Sequence, residues 1–235
     1  MTRIGIIGAM DSEIRALISC MEEVETEKIA SMTFYKGKLW GKDTVLVKCG
    51  VGKVNMTACT QILASIYKVG TLINTGVAGA LKKGMRVGDI VISSDAVEHD
   101  MDATGLGFEK GVIPYMDESV FRADPDLVQL AKDSCRAVNP DVNCYVGRVV
   151  TGDQFISSRK VKNKLVKTFE GFCAEMEGAA MAQAAYLNGI PFVIIRAISD
   201  NADDSASGDF EEFTEKAVEH TTHLLEEMFP RLPDR

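Results

Sequence analysis

The sequence predicts an α/β fold with a mixed, mostly parallel central sheet that is covered by helices on both faces. Short apolar runs rich in β-branched residues alternate with helical patterns throughout the 235 residues, as is typical of parallel strands joined by crossover helices. Two strand-like runs, 34–39 and 44–49, flank a Gly-Lys-Asp turn and predict an antiparallel hairpin. The length fits one large domain, so residues 1–235 are predicted to form a single domain.

The helices and strands follow from local signals at their ends. Asp124 is a capping residue and Pro125 fits a first helical turn, which predicts a helix over 124–138. A helix over 178–187 ends before Gly189. The other predicted elements are helices 13–23, 55–67, 161–168 and 210–228, and strands 3–9, 71–75, 89–97, 143–150, 172–174 and 192–198.

Composition excludes several classes of function. The chain has 26 Lys and Arg against 34 Asp and Glu, a net charge of −8, and this acidic balance argues against binding to nucleic acid or to an anionic membrane. No apolar run approaches the ~20 residues that cross a bilayer. Six scattered cysteines without a CxxC pair, and a start without a signal peptide, predict a cytoplasmic protein with free thiols. His220 and His223 have no matching ligand set, so no metal site is predicted.

Carboxylates follow the predicted strands where an α/β sheet binds its ligands. Glu13 comes after the first strand, Glu175 and Glu177 after a short later one, and Asp200 after the last. The carboxyl ends of parallel strands share one edge, so these side chains are expected to converge on one pocket. Such a pocket suits general acid–base chemistry and recognition of ribose hydroxyls, although capping of a helix is an alternative role for Glu13. The glycine spacings fit neither GxGxxG nor a P-loop, and no cofactor is predicted.

Several motifs, in order and over nearly the whole chain, resemble the nucleoside phosphorylase superfamily. Within it the chain is similar to the nucleosidases of 5′-methylthioadenosine and S-adenosylhomocysteine. The motifs are IGIIGAM at 4–10, GVGKVN at 50–55, NTGVAG at 74–79, VGDIV at 87–91, HD at 99–100, GDQFI at 152–156, EME at 175–177 and RAISD at 196–200.

The resemblance implies hydrolysis of the N-glycosidic bond of an adenosine with a 5′ thioether, which releases adenine and a 5-thioribose product. Asp200 would give a proton to N7 of the purine. Glu13 would deprotonate the attacking water, which Glu175 and Arg196 would help to position. Glu177 would accept hydrogen bonds from the 2′ and 3′ hydroxyls.

The resemblance also implies the remaining substrate contacts. Phe155 would stack on the purine and Ile156 would read its edge through backbone groups. Val77 stands where the family commonly has Ser, so it offers the attacking water no hydroxyl. The other implied contacts are Met10, Val51 and Phe210 around the 5′-alkylthio group, Met176 beside the ribose, and Ser199.

Segment 98–121 is too long and too rich in glycine to be an ordinary connection. A loop of this kind is usually functional, as a lid or as a contact with another subunit. The resemblance implies a homodimer in which Ala103, Phe108 and Pro114 lie near the 5′ pocket of the neighbouring subunit.

Three alternatives remain open. A purine nucleoside phosphorylase needs cations around its phosphate, whereas Asn74 stands where an arginine is expected, and Asp11 and Glu13 would repel phosphate. A hydrolase of aminodeoxyfutalosine or 5′-deoxyadenosine would share the same site. A nucleoside-binding protein without catalysis has no need of both Glu13 and Asp200.

Overall fold

The computed structural model describes residues 3–233, which form one sheet of ten strands with six α-helices around it. The strands are β1 (Ile4–Gly8), β2 (Met21–Ile29), β3 (Met32–Leu39), β4 (Lys42–Lys48), β5 (Thr71–Ala80), β6 (Ile90–Glu98), β7 (Phe121–Arg122), β8 (Cys144–Thr151), β9 (Cys173–Glu175) and β10 (Phe192–Asp200). The helices are α1 (Asp11–Ser19), α2 (Lys53–Ser65), α3 (Pro125–Val138), α4 (Arg159–Phe169), α5 (Gly178–Asn188) and α6 (Ala206–Met228). Two short 3₁₀ turns cover Thr104–Leu106 and Phe229–Arg231.

The sheet is mixed, as the sequence predicts, and part of it closes on itself. Strand β5 pairs with β10, β10 with β6, β6 with β8, β8 with β9, and β9 returns to β5. On its other side β5 pairs with β1, from which β4, β3 and β2 continue as an open sheet. Parallel ladders join β4, β1, β5 and β10 in sequence, so the carboxyl ends of these strands lie at one edge. Among the described residues, antiparallel ladders are as numerous as parallel ones: two of them close the ring, and three join β2 to β3, β3 to β4 and β6 to β7.

Helices cover both faces of the sheet, which confirms the predicted layers. On one face α2 and α5 pack together over an apolar cluster that includes Met56, Leu63 and Met181. On the other face α3 and α6 pack together over a second cluster that includes Leu127 and Leu224. Within residues 3–233, none of the helices has the length and apolar character to span a bilayer.

The prediction of a helix over 13–23 is wrong in its second half. Helix α1 ends at Ser19, and the strand β2 begins at Met21. The segment MEEVETEKI alternates charged residues and has no apolar helical face. It pairs with β3 as an exposed edge strand, where Lys36 faces Glu25 and Lys38 faces Glu23 in ion pairs. The hairpin of β3 and β4 is confirmed.

Candidate active site

A cavity of about 130 Å³ opens at the shared carboxyl edge of β1, β5 and β10, beside β9, which runs antiparallel to β5. Eleven of the residues that the sequence singles out line it. These are Met10, Glu13, Val51, Val77, Phe155, Glu175, Met176, Glu177, Ser199, Asp200 and Phe210. Four further residues, which sequence reasoning missed, complete the wall: Ala9, Ala78, Gly79 and Ala174.

Glu13 is held in place by backbone donors at the start of α1. Its Oε2 accepts hydrogen bonds from the backbone N–H of Ala9 at 2.6 Å and of Met10 at 3.0 Å, and its Oε1 accepts one from Val77 at 3.2 Å. Burial raises the pKa of the Glu13 carboxyl, while Arg196 and the three N–H donors act against the rise. The carboxylate is therefore fixed in orientation and more basic than an exposed glutamate.

Arg196 lies behind the cavity and is fully buried. Its Nη2 donates short hydrogen bonds to Glu175 Oε2 and to Asn74 Oδ1. Its Nε and Nη1 have no hydrogen-bond acceptor among the described residues. The Glu175 side chain forms the ion pair that neutralises this buried guanidinium, as a buried charge requires.

Both oxygens of Glu175 are occupied by protein donors. Oε2 accepts the backbone N–H of Glu177 at 2.9 Å and of Gly178 at 2.7 Å, besides Arg196. Oε1 accepts a short hydrogen bond from the Thr151 hydroxyl. Glu175 thus fixes Arg196 and the first turn of α5.

Glu177 faces the cavity at the N-terminus of α5. Its Oε1 accepts the backbone N–H of Gly52 at 2.8 Å, and its Oε2 lies 3.9 Å from Arg196 Nη2. Burial, followed by the neighbouring Glu175 carboxylate, raises the pKa of Glu177 to about 7. This carboxyl therefore changes charge close to neutral pH.

Asp200 ends β10 and lines the same cavity. Its Oδ1 accepts the backbone N–H of Ala202 at 2.7 Å, and its Oδ2 lies 2.9 Å from the Ser199 hydroxyl. Burial raises the pKa of the Asp200 carboxyl, while these two hydrogen bonds oppose the rise. A Cβ at Gly79 would lie 2.7 Å from Asp200 Oδ1, so glycine is needed where β5 passes this side chain. Burial of this kind favours a carboxyl that keeps its proton.

The rest of the cavity wall is apolar. Val77 belongs to a cluster of buried hydrophobic side chains, against which Met10 and Phe210 pack. The Phe155 ring meets the Phe210 ring edge to face, with centroids 5.7 Å apart. Phe155 is 45% exposed and Val51 50% exposed, so these two side chains form the rim of the cavity.

Some predicted residues lie outside this cavity. Ile156 is buried and lines a small adjoining cavity, next to Asp200. Ala103, Phe108 and Pro114 lie on the segment between β6 and β7 and do not reach the cavity of their own chain. Two polar residues that hold the site, Asn74 within β5 and Thr151 at the end of β8, were not predicted as site residues.

Comparison with known proteins identifies the family. The sequence profile of the phosphorylase superfamily matches residues 3–230 of this chain. A curated relative from Exiguobacterium sp. (strain ATCC BAA-1283 / AT1b), named 5′-methylthioadenosine/S-adenosylhomocysteine nucleosidase, is 41% identical over 231 residues, which are 98% of each chain. The chain belongs to the methylthioadenosine/S-adenosylhomocysteine nucleosidase family of this superfamily. The family that the sequence motifs predict is thereby confirmed.

Solved structures confirm the fold. The nucleosidase of this family from Neisseria meningitidis, in complex with methylthio-immucillin-A, superposes with a TM-score of 0.94 at 36% identity and covers 99% of this chain and 100% of its own. The futalosine hydrolase of Helicobacter pylori strain 26695 superposes with a TM-score of 0.93 at 30% identity and covers 98% of each chain. Hydrolases with different names therefore share this fold, so the substrate has to be inferred from the residues that line the cavity.

Proposed function

We propose that the protein hydrolyses the N-glycosidic bond of 5′-methylthioadenosine and S-adenosylhomocysteine. One observation carries the choice of water over phosphate as nucleophile. Four carboxyl groups line the cavity, and no Lys, Arg or His lines it among the described residues. The nearest cation, Arg196, is already paired with Glu175. A phosphate dianion would meet repulsion here without a compensating positive charge, whereas a neutral water would not.

Asp200 and Glu13 supply the acid and the base of this reaction. The C1′–N9 bond breaks as its electron pair moves onto the purine, and Asp200 gives its proton to N7. The water oxygen bonds to C1′, and the proton that water loses goes to Glu13. The net products are adenine and a 5-thioribose sugar. Burial raises the pKa of both carboxyls, which makes the Asp200 carboxyl hold its proton more readily than an exposed aspartate and makes the Glu13 carboxylate a stronger base.

The remaining side chains account for binding of the nucleoside. Glu177 accepts hydrogen bonds from the ribose 2′ and 3′ hydroxyls in this proposal, which its position in the cavity wall next to Met176 supports. Phe155 supplies a face for the purine, and the backbone of Ile156 and the Ser199 side chain lie on the Asp200 side. The apolar wall of Met10, Val51, Val77 and Phe210 suits a thioether, which gains from dispersion contact rather than from hydrogen bonds.

The release of adenine from methylthioadenosine, measured with and without phosphate, tests this proposal. Turnover independent of phosphate supports the hydrolase. A requirement for phosphate would assign the chain to the phosphorylases, and binding without turnover would make it a nucleoside-binding protein. Aminodeoxyfutalosine and 5′-deoxyadenosine, assayed in the same way, establish how far the apolar wall selects a thioether.

We also infer a homodimer in the cytoplasm, in which segment 98–121 closes the neighbour's 5′ pocket. Leu106 is 72% exposed and Tyr115 is 94% exposed on this segment, and Tyr115 holds Phe108 edge to face at 5.8 Å. Large exposed apolar side chains on one loop favour a protein contact. Light scattering after size exclusion should give about twice the 25.6 kDa chain mass, and a fully active monomer would contradict the inference.

A further inference from the structure

A closed ring of hydrogen bonds outside the cavity joins three loops. Lys53 begins α2, Asp100 follows β6 and Asp153 follows β8. Lys53 Nζ donates to Asp100 Oδ1 at 2.8 Å, and the Asp153 backbone N–H donates to Asp100 Oδ2 at 2.9 Å. The Lys53 backbone N–H donates to Asp153 Oδ1 at 2.8 Å. Each of the three residues thus bonds to the other two, although they lie far apart in the chain.

The charge of Lys53 holds this ring together. Its Nζ also donates to Glu98 Oε2 at 3.0 Å, and the Glu98 and Asp100 side chains are only 7% and 16% exposed. Burial works against the charge on Lys53, but the hydrogen bonds to Asp100 and Glu98 outweigh it and raise the pKa of the ammonium. Removal of this cation would leave two largely buried carboxylates facing each other, a far costlier change than loss of a surface ion pair.

The ring reaches the cavity through Gly52. This residue precedes Lys53, and its backbone N–H donates to Glu177 Oε1 at 2.8 Å. Its φ of +98° is a conformation that side chains rarely adopt, and a Cβ there would lie 3.1 Å from Asp153 Oδ1. The direction of the Gly52 N–H, and with it the plane of the Glu177 carboxylate, therefore depends on how the ring holds the first turn of α2.

We propose that Lys53, acting through Asp100 and Asp153, is a positioning residue that sets the Glu177 carboxylate for recognition of the ribose hydroxyls. The proposal rests on the nucleoside site proposed above and assigns Lys53 no contact with substrate. With the ring intact, Gly52 holds Oε1 in one orientation, and the carboxylate presents fixed acceptor positions to the 2′ and 3′ hydroxyls. When the ring is broken, the carboxylate rotates, and the 2′ hydroxyl then contributes less to the affinity for the ligand.

The test measures how much binding affinity a ligand that is not hydrolysed loses when its 2′ hydroxyl is removed. The probes are 5′-methylthio-7-deazaadenosine, which has no N7 to protonate, and its 2′-deoxy counterpart, each titrated by calorimetry. The measured quantity is the dissociation constant of the 2′-deoxy ligand divided by that of its parent. In Lys53→Met, which keeps the alkyl stem, this ratio should fall by about tenfold or more, the scale of one hydrogen bond to a charged group. Equal weakening of both ligands would show that the ring is only a structural brace and would overturn the proposal.

Matched variants exclude a general effect of lost charge or stability. Lys38→Met removes an ammonium that lies 2.8 Å from Glu23 in an exposed ion pair, and it should leave the ratio unchanged. Lys53→Arg should restore most of the ratio. If Lys53→Met does not fold, Asp100→Asn replaces it, because it keeps an acceptor for the Asp153 N–H, and an unchanged ratio in that variant contradicts the proposal. Wild-type protein that binds neither probe would instead refute the nucleoside site itself.

Discussion

Gly76 is the position where one added methyl group should disable the site. Gly76→Ala places a Cβ in the middle of β5, 2.9 Å from Glu13 Cδ and nearer still to Glu13 Oε1 and Arg196 Nη1. Ordinary van der Waals contact starts at 3.4 Å, so the two buried groups have to withdraw by roughly 1 Å, and a displacement of that size lowers turnover about 10²-fold. Overpacking of the buried charges should also destabilise the fold by about 1–3 kcal/mol.

The assay is kcat and KM for adenine release from methylthioadenosine, together with the melting temperature. Gly208→Ala is the matched control, because a Cβ there meets nothing within 4 Å and the residue is exposed on α6. That variant should keep wild-type kcat and an equal or slightly higher melting temperature. If folded Gly76→Ala turned over within a few-fold of the wild type, the placement of Glu13 and Arg196 against β5 would not be what limits catalysis.

Three further outcomes are expected. Asp200→Asn should bind the nucleoside but lose about 10²–10⁴-fold in kcat, because an amide cannot protonate N7, and wild-type kcat would remove Asp200 from the acid role. Folded protein keeps the Glu177 proton up to about pH 7, against an ordinary value of 4.5. Between pH 4.5 and about 7 the folded protein therefore binds more protons than the unfolded chain. The melting temperature of the wild type should fall relative to that of Glu177→Gln as the pH rises across this range. A constant difference between the two melting temperatures would contradict the raised pKa. Phe210→Ala should lower the kcat/KM preference for methylthioadenosine over adenosine by roughly 1–3 kcal/mol of lost apolar contact, and an unchanged preference would show that another wall selects the thioether.

Local patterns in the sequence were sufficient to predict that Glu13, Glu175, Glu177 and Asp200 meet in one pocket, whereas the other predicted lining residues came from the resemblance to the family. Glu13 and Asp200 follow β1 and β10, which both pair in parallel with β5, and parallel strands bring their carboxyl ends to one edge, so these two could be placed without coordinates. The same rule does not place Glu175 and Glu177, because β9 runs antiparallel to β5. Local reasoning failed at residues 21–23, since these residues resemble a solvated helix end until β3 offers them an edge to pair with.

Only the tertiary structure decides what each of these carboxyl groups is free to do. The sequence predicts that Glu175 and Glu177 point into the same pocket. The oxygens of Glu175, however, already accept hydrogen bonds from Thr151, Arg196 and the first turn of α5. Glu177 receives its one backbone donor from Gly52, 125 residues away. Burial, charge and hydrogen bonding at a carboxyl group are set by segments distant in the chain. Residue type and spacing therefore predict which groups meet, whereas the packing of distant loops determines the pKa, orientation and free oxygen of each one.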